Sequence, residues 1–567
     1  MRLAALLLAL VPSAGDDAAA PQGEPVLDPP TLRSLGVSWV VKGDANRNAK
    51  VAVEYRKPGA AAWKVGPPLF RVEKGLPKDL PEGWLFAGSL VLLEPGTAYE
   101  IRLKLSDPDG GSVEKILKAS TISEPSAPAS APLRHVAPGS GGGSGTAADP
   151  FKGIAEAESR AKPGDVFLVH AGAYPGVFTV KKSGEPGKPI VWRGAGDGDV
   201  VIGGADAAPE GIRAEGVHDV WFERLVVRNK DYGLLAHEAA GLVIRRCRFE
   251  KVKNGIYNGR NTKDAVRGWW ISDNVLEGVS PWPRPGDKLD ENEWRGIQIT
   301  GEGHVIAWNR VHQFKDAIDT FPSGRCAAID IHNNDLSELN DDGIELDFSQ
   351  RNVRCFENRI VNTHCAISTQ PVLGGPAYVF RNVMFNSVNE PFKMHSDPSG
   401  VLFYHNTSVR QGMALQLFTP AHVRNCVMRN NLFVGTTGPF AYESTAKMVD
   451  CDFDYDGFAG GPWKMFLKWN EVRYAAFEDL KAKAPVYRHA VRIDAATLFA
   501  GAVAVPANPL RPVERAVDLR LKPGSAAIDA GEPLPGFNDG FVGKGPDLGA
   551  TELGQELPLY GPRPEKK

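Results

Sequence analysis

The run NVRCFENRIVNTHCAISTQPVLGGPAYVFRNVMFNSVNEPFKMHSDPSGVLFYHNTSV, residues 352–409, decides the fold. In it Asn358, Asn382 and Asn406 recur every 24 residues. Working outward, the ladder runs Asn274, Asn309, Asn334, Asn358, Asn382, Asn406, Asn431, with last intervals of 25, 24, 24, 24 and 25 residues. The long step before Asn309 holds an insertion, VSPWPRPGDKLDENEW. A second signal keeps step with the first, a small residue or Pro followed by an apolar one: Gly233-Leu234, Gly255-Ile256, Gly296-Ile297, Ala317-Ile318, Gly343-Ile344, Ala366-Ile367, Pro391-Phe392 and Ala414-Leu415. Each repeat carries short alternating strands and no helical period. Coils of this length, with asparagines stacked at one corner to satisfy neighbouring backbone, predict a right-handed parallel β-helix solenoid. A leucine-rich repeat needs a leucine consensus and a propeller a longer period.

The 567-residue chain is too long for one ordinary core, whereas a solenoid grows along one axis. The balance of 65 basic against 68 acidic residues gives no support for a nucleic-acid partner. Arg2, the apolar run Leu3 to Val11 and the small residues Ser13, Ala14 and Gly15 read as a signal peptide over 1–20, too short to span a bilayer. The expected destination is outside the cytoplasm: extracellular, periplasmic or in the envelope. The six cysteines form no CxxC pair, so no zinc site is indicated, and Cys355 and Cys426 fall on inward strand positions.

Residues 24–122 predict a small β-sandwich, with strands at VSWVV (37–41), VAVEY (51–55) and YEIRLKL (99–105). The stretch LEPGTAYEIRLKLSDPDGG resembles the end of a fibronectin type III module. The resemblance implies a tyrosine corner at Tyr99, a core tryptophan at Trp39 and a spacing or binding role. Residues 123–146, Pro/Ala/Ser-rich and then Gly/Ser-rich, read as a linker. The β-helix is expected over 147–436, with its end and a capping segment over 437–567. Residues 437–500 lose the visible repeat. DPFKGIAEAESRAKPGD (149–165) reads as a capping helix with Asp149 at its N-cap and Pro150 at its first position. The text at 165–196, and LKPGSAAIDAGEP to PDLGATE near the far end, resemble the opening coils and closing segment of the pectate-lyase-like β-helix superfamily. That resemblance covers about 145–555 and implies fold rather than activity.

On the strand after each small-apolar pair, alternation turns the next residue outward. The outward pairs are Leu235 and His237, Tyr257 and Gly259, Gln298 and Thr300, Asp319 and Phe321, Glu345 and Asp347, Ser368 and Gln370, Lys393 and His395, Gln416 and Phe418. Lys315, Asp316, Asn340, Asp341, Asp342 and His364 lie in the turns entering this row. Acids gather over 315–347, with Lys393 and His395 two coils on. At about 4.8 Å per coil, four coils span roughly 15 Å, the reach of a few sugar units. The insertion at 280–294, with Trp282, Asp287, Asp290 and Trp294, is a candidate wall whose tryptophans offer flat faces to sugar rings.

Three functions fit this row. Stacked carboxylates suit a glycoside hydrolase, which pairs a protonated with an ionised acid, and crowding raises one acid's pKa. Here Phe314-Lys315-Asp316-Ala317-Ile318-Asp319, followed by Asn340-Asp341-Asp342-Gly343-Ile344, resembles the polygalacturonase-type hydrolases. The resemblance implies catalytic roles for Asp316, Asp341 and Asp342. It departs from the family at Thr363-His364-Cys365 and keeps only Lys393 of the family's basic motif. The second function is a polysaccharide lyase, with Lys393 or His395 as base and Ca²⁺ held by Asp316, Asp341, Asp342, Glu345 and Asp347. The third is a non-catalytic glycan-binding or surface protein. The catalytic candidates are Asp316, Asp319, Asp341, Asp342, Glu345, Asp347, Lys393 and His395. The substrate-binding candidates are Tyr257, Trp282, Trp294, Gln298, His364 and Gln370. No metal is required, and the expected partner is a polysaccharide. His405, His422, Lys181 and Lys182 read as structural or solvated.

Overall fold

The computed structural model describes all residues except 1–16, 77–81, 205–206, 260–265, 284–291, 321–325, 515–516 and 566–567. The signal-peptide reading and Asp287, Asp290 and Phe321 fall outside, or largely outside, the described residues. The chain forms two compact units, one running to Ile122 and taking in Pro535–Phe537, the other holding the remainder from Ser123. Among the described residues no helix is long and apolar enough to cross a membrane.

The first unit is antiparallel throughout. Strand Ala98–Ser106 alternates cleanly, burying Tyr99, Ile101, Leu103 and Leu105 and pairing with Lys50–Arg56 on one side and Ser112–Ser120 on the other. Leu35–Lys42 pairs with Trp84–Leu90 and buries Trp39. Strand Lys64–Arg71 joins the two groups, pairing with Lys50–Arg56 at its start and Trp84–Leu90 at its end. The Tyr99 hydroxyl accepts from the Glu94 backbone N–H at 3.1 Å, pinning the turn five residues upstream.

The second unit is a parallel β-solenoid whose coils feed two long sheets of 16 and 20 strands. Identical apolar positions stack in register: Ile256, Ile297, Ile318, Ile344, Ile367 and Phe392 form one internal column, all within the continuous core. The small residue before each of these also faces inward, and the packing shows why. A methyl on Gly296 would meet Val311 Cγ1 at 2.4 Å, and one on Gly343 would meet Ile360 Cγ2 at 2.6 Å. Two consecutive inward residues bend the chain at this corner, so the residues flanking the pair on both sides point outward.

The asparagine ladder closes the opposite accounting. Asn358 Oδ1 accepts from the Asn334 backbone N–H and side-chain amide, while its own Nδ2 donates to Ile331 O and Asn382 Oδ1. The same pattern repeats from Asn274 to Asn431. Every rung is fully buried, so each amide satisfies backbone that water cannot reach. The ladder extends one rung further at Asp456, which accepts both bonds from Asn431. Its burial pushes the carboxyl up to about 7.

Three expectations change. The segment read as a linker contains strand Leu133–Ala137, which pairs in parallel with Val166–Val169 and starts the solenoid, with the glycine run as its turn onto Phe151–Lys152. The capping helix is Ile154–Arg160, with Gly153 at its N-cap. Residues Phe151 and Lys152 are instead drawn into strand pairing, and Asp149 accepts from the Ser144 N–H. Coils continue past 436: Gly457–Gly460 pairs with Leu432–Gly435 and with Val491–Ile493. The repeat disappears from the sequence there because aspartate replaces asparagine and the spacing lengthens. His405 is structural as expected, bonded through Nε2 to the side-chain amides of Asn430 and Asn538.

Replacing Asn382 with Ala strands the buried Asn358 amide donors and Cys355 O. The expected cost is about 3 kcal/mol in chemical denaturation with unchanged m-value; a loss below about 1 kcal/mol would contradict the ladder's role.

Candidate active site

The inward corner pair generates two outward columns. The column before the pair carries Arg295, Asp316, Asp342, Cys365 and Glu390. Strand pairing sets Arg295 beside Asp316 and Asp342 beside Cys365, and the Asp342 N–H donates to Asp316 Oδ1 at 3.0 Å. The column after the pair carries Tyr257, Gln298, Asp319, Glu345, Ser368 and Lys393, all in register. Two residues further along lie Asp347, Gln370 and His395.

These columns floor a cleft of about 780 Å³. Asp316, Asp341, Glu345, Asp347, His364, Gln370, Lys393 and His395 line it, joined by Glu293, Arg295, Lys315, Phe348, Pro371 and Asn389. Asp319 and Asp342, fully buried, lie beneath and hold its cations. The remaining candidates do not line it. Gln298 is buried one coil before Asp319, and Tyr257 packs beside Tyr232 two coils away, ring centroids 5.4 Å apart. Trp282 and Trp294 are half-buried, and Trp294 serves through its carbonyl, which accepts from Lys315 N–H. The flat apolar surface comes from Phe348 and Pro371 instead.

At the centre, Asp316, Asp342 and Glu345 bring carboxylate oxygens within 4.8 Å of one another. Cations flank the trio. Lys393 Nζ stands 2.6 Å from Asp342 Oδ2 and 3.9 Å from Asp341 Oδ1. Arg295 contacts Asp319, reaches Glu293 at 2.5 Å and lies 3.7 Å from Asp316 Oδ2. Lys315 Nζ sits on Glu293 at 2.8 Å. Asp347 accepts from Ser368 Oγ at 2.8 Å and from the Gln370 N–H at 2.6 Å. His395 Nε2 faces the buried Glu390 Oε2 at 3.0 Å, while Glu390 Oε1 accepts from the Phe418 N–H.

Burial and mutual repulsion push the acids up. Asp316 rises to about 7, from burial first and then Asp341, against the opposing pull of Arg295. Asp347 also rises to about 7 through burial, opposed by its two hydrogen bonds. Asp342 is raised by burial and Asp341 while Lys393 opposes. Glu345 is raised well above the usual range by burial and then by Asp316, Asp319, Asp347 and Asp342, with no cation among its leading influences. Burial works against the charge on Lys393 and Arg295, but the surrounding carboxylates outweigh it and hold both protonated. Glu293, although burial raises it, is brought down to about 2 by Lys315 and Arg295. The trio titrates as a unit, and Glu345 is the member best placed to keep its proton. Asp342 is raised by burial and Asp341 even though the Lys393 ammonium stands against it.

The sequence reading passed over Arg295, Glu293 and Glu390. Arg295 and Glu390 were findable, since each immediately precedes a small-apolar pair, as Asp316 and Asp342 do.

No family model matches the chain. An uncharacterized protein of Bacillus subtilis (strain 168), YwoF, is 32% identical over 116 residues, 19% of this chain and 24% of that protein. The match thus spans about a quarter of the curated relative. Among solved structures, the catalytic domain of a GH87 alpha-1,3-glucanase in complex with nigerose aligns over 84% of this chain and 98% of its own, at 10% identity and TM-score 0.27. A variant of that catalytic domain in complex with tetrasaccharides aligns likewise at TM-score 0.28. Superpositions this loose carry no argument about the chemistry of this chain.

A pH series tests the charge assignment. Because Glu345 titrates higher in the folded chain than its unfolded value of about 4.3, its contribution is intact below that pH and is lost as pH rises. Glu345→Gln, which mimics the protonated form, is expected to match the parent's melting temperature near about pH 4 and exceed it increasingly toward about pH 8. A constant offset across that range would refute a raised Glu345.

Proposed function

We propose that this protein is an exported glycoside hydrolase acting on a polysaccharide laid across the cleft. One observation carries the reading: three buried carboxylates bring oxygens within 4.8 Å of one another, two lining the cleft and Asp342 beneath it, with a built-in cation on Asp342 and none leading at Glu345. Hydrolysis of a glycosidic bond commonly needs one carboxyl to give a proton to the leaving oxygen and another, ionised, to assist from the sugar. Glu345 fits the first role. Asp316 fits the second: it lines the cleft, its Oδ1 is fixed by the Asp342 N–H, and its buried Oδ2 accepts no hydrogen bond. Asp342 with Lys393, and Asp319 with Arg295, act as positioning pairs that set how many protons the trio retains.

A lyase reading draws on the same trio, since hard oxygens at this spacing suit Ca²⁺. Lys393 already stands on Asp342, and Arg295 lies within 3.7 Å of Asp316, so two of the three ligands face a cation of the chain itself. Proton sharing is therefore the reading preferred. The N-terminal unit, with its Tyr99 corner and buried Trp39, fits a fibronectin type III-like spacer. The apolar run Leu3 to Val11 supports export.

The test is a polysaccharide panel with and without EDTA, reading reducing ends and the ultraviolet absorbance of unsaturated uronates together. The expected result is reducing ends alone, insensitive to EDTA, with kcat lowered at least about 100-fold by Glu345→Gln and by Asp316→Asn. Absorbance removed by EDTA would establish the lyase instead, and silence across the panel a binding role.

A further inference from the structure

The cations that line the cleft among the described residues are Arg295, Lys315 and Lys393, and each is already held by the chain's own carboxylates. Arg295 serves Asp319 and Glu293, Lys315 serves Glu293, and Lys393 serves Asp342. Five acids line the same surface, and two more lie just beneath it. A uronate carboxylate entering here would meet like charge from those acids that stay ionised, Glu293 first among them, at short range. To gain a counter-ion it would have to strip Arg295 or Lys393 from a buried aspartate, which would then lie charged and unpaired, or take Lys315 from the half-exposed Glu293.

We propose that the cleft selects an uncharged polysaccharide and excludes uronates. This deepens the hydrolase reading and rests on the same site. The remaining lining groups suit hydroxyl-rich, neutral sugars. The Gln370 side-chain carbonyl is buried and accepts no hydrogen bond. Asn389 offers an amide whose oxygen is fixed by Gln416 at 2.7 Å. Phe348 and Pro371 supply an apolar surface for a sugar face. Hydroxyls can meet both the amides and the acids, as donors to carboxylates and acceptors from amides, so neutral sugars lose none of the ion pairs already in place.

The experiment is affinity electrophoresis of the full chain carrying Glu345→Gln. The gels contain neutral glucans, galactans, mannans or xylans, or native uronans paired with their carboxyl-reduced counterparts. The expected result is retardation by at least one neutral glycan, with every native uronan weaker by about tenfold or more. Binding of a native uronan equal to the best neutral glycan, or no binding of any neutral glycan, overturns the proposal. A second arm uses Glu293→Gln, which releases Lys315 and one partner of Arg295. Uronan retardation should rise several-fold, and no rise would refute paired cations as the cause of exclusion. Turnover by the unmodified protein separates the two claims. A neutral glycan bound but never cut sinks the hydrolase and leaves the selectivity standing. A uronan cut in a Glu345-dependent way does the reverse.

Discussion

The structure depends on a lack of space. At one corner of each coil the chain turns inward for two consecutive residues, and the first meets core side chains of the neighbouring strand almost at once. Glycine fills that place at 296 and 343 and alanine at 317 and 366. The bend throws the residues on both sides outward. Stacking in register then converts single residues into columns, so Arg295, Asp316, Asp342 and Glu390 share one file, and Asp319, Glu345 and Lys393 the other. A constraint of packing thus becomes a device for concentrating charge.

Concentrated charge in a buried setting must be neutralised by partners or protons. This site uses both. Lys393, Arg295 and Lys315 each sit on carboxylates within ion-pair distance, and burial with mutual repulsion forces Asp316, Asp342, Glu345 and Asp347 upward in pKa. The same arrangement that costs stability above mildly acidic pH supplies an acid that can hold a proton where solvent carboxylates cannot. It also commits the local cations, which ties the handling of protons to the kind of sugar the cleft accepts.

Much of this was legible in the chain. The asparagine ladder and the small-apolar pairs announce a parallel solenoid because buried amides and a tight corner tolerate few substitutes. The outward column containing Asp319, Glu345 and Lys393 follows from alternation alone. The ends were harder to read. Asp456 takes an asparagine's place, and a Gly/Ser run that looks like a linker is a turn between paired strands. The tryptophans of the insertion look like sugar platforms by residue type, but Trp294 contributes a carbonyl and Phe348 the ring. Arg295 stands before Gly296-Ile297 just as Asp316 stands before Ala317-Ile318, but a single arginine in a column of acids shows its role only once the ion pairs form. Which acid keeps its proton depends on distances to cations across several coils, and those exist only after folding.

The central claim is that Glu345 is a neutral carboxylic acid near neutrality within a coupled cluster. An isotope-edited infrared titration of the full chain, compared with Glu345→Gln, tests it most directly. The account predicts a protonated-carboxyl band that persists well above the usual carboxylate range and loses one component in the variant, the remainder belonging to Asp316, Asp342, Asp347 and Asp456. Complete ionisation of every carboxyl by about pH 5, or a persistent band unchanged by the substitution, would contradict it.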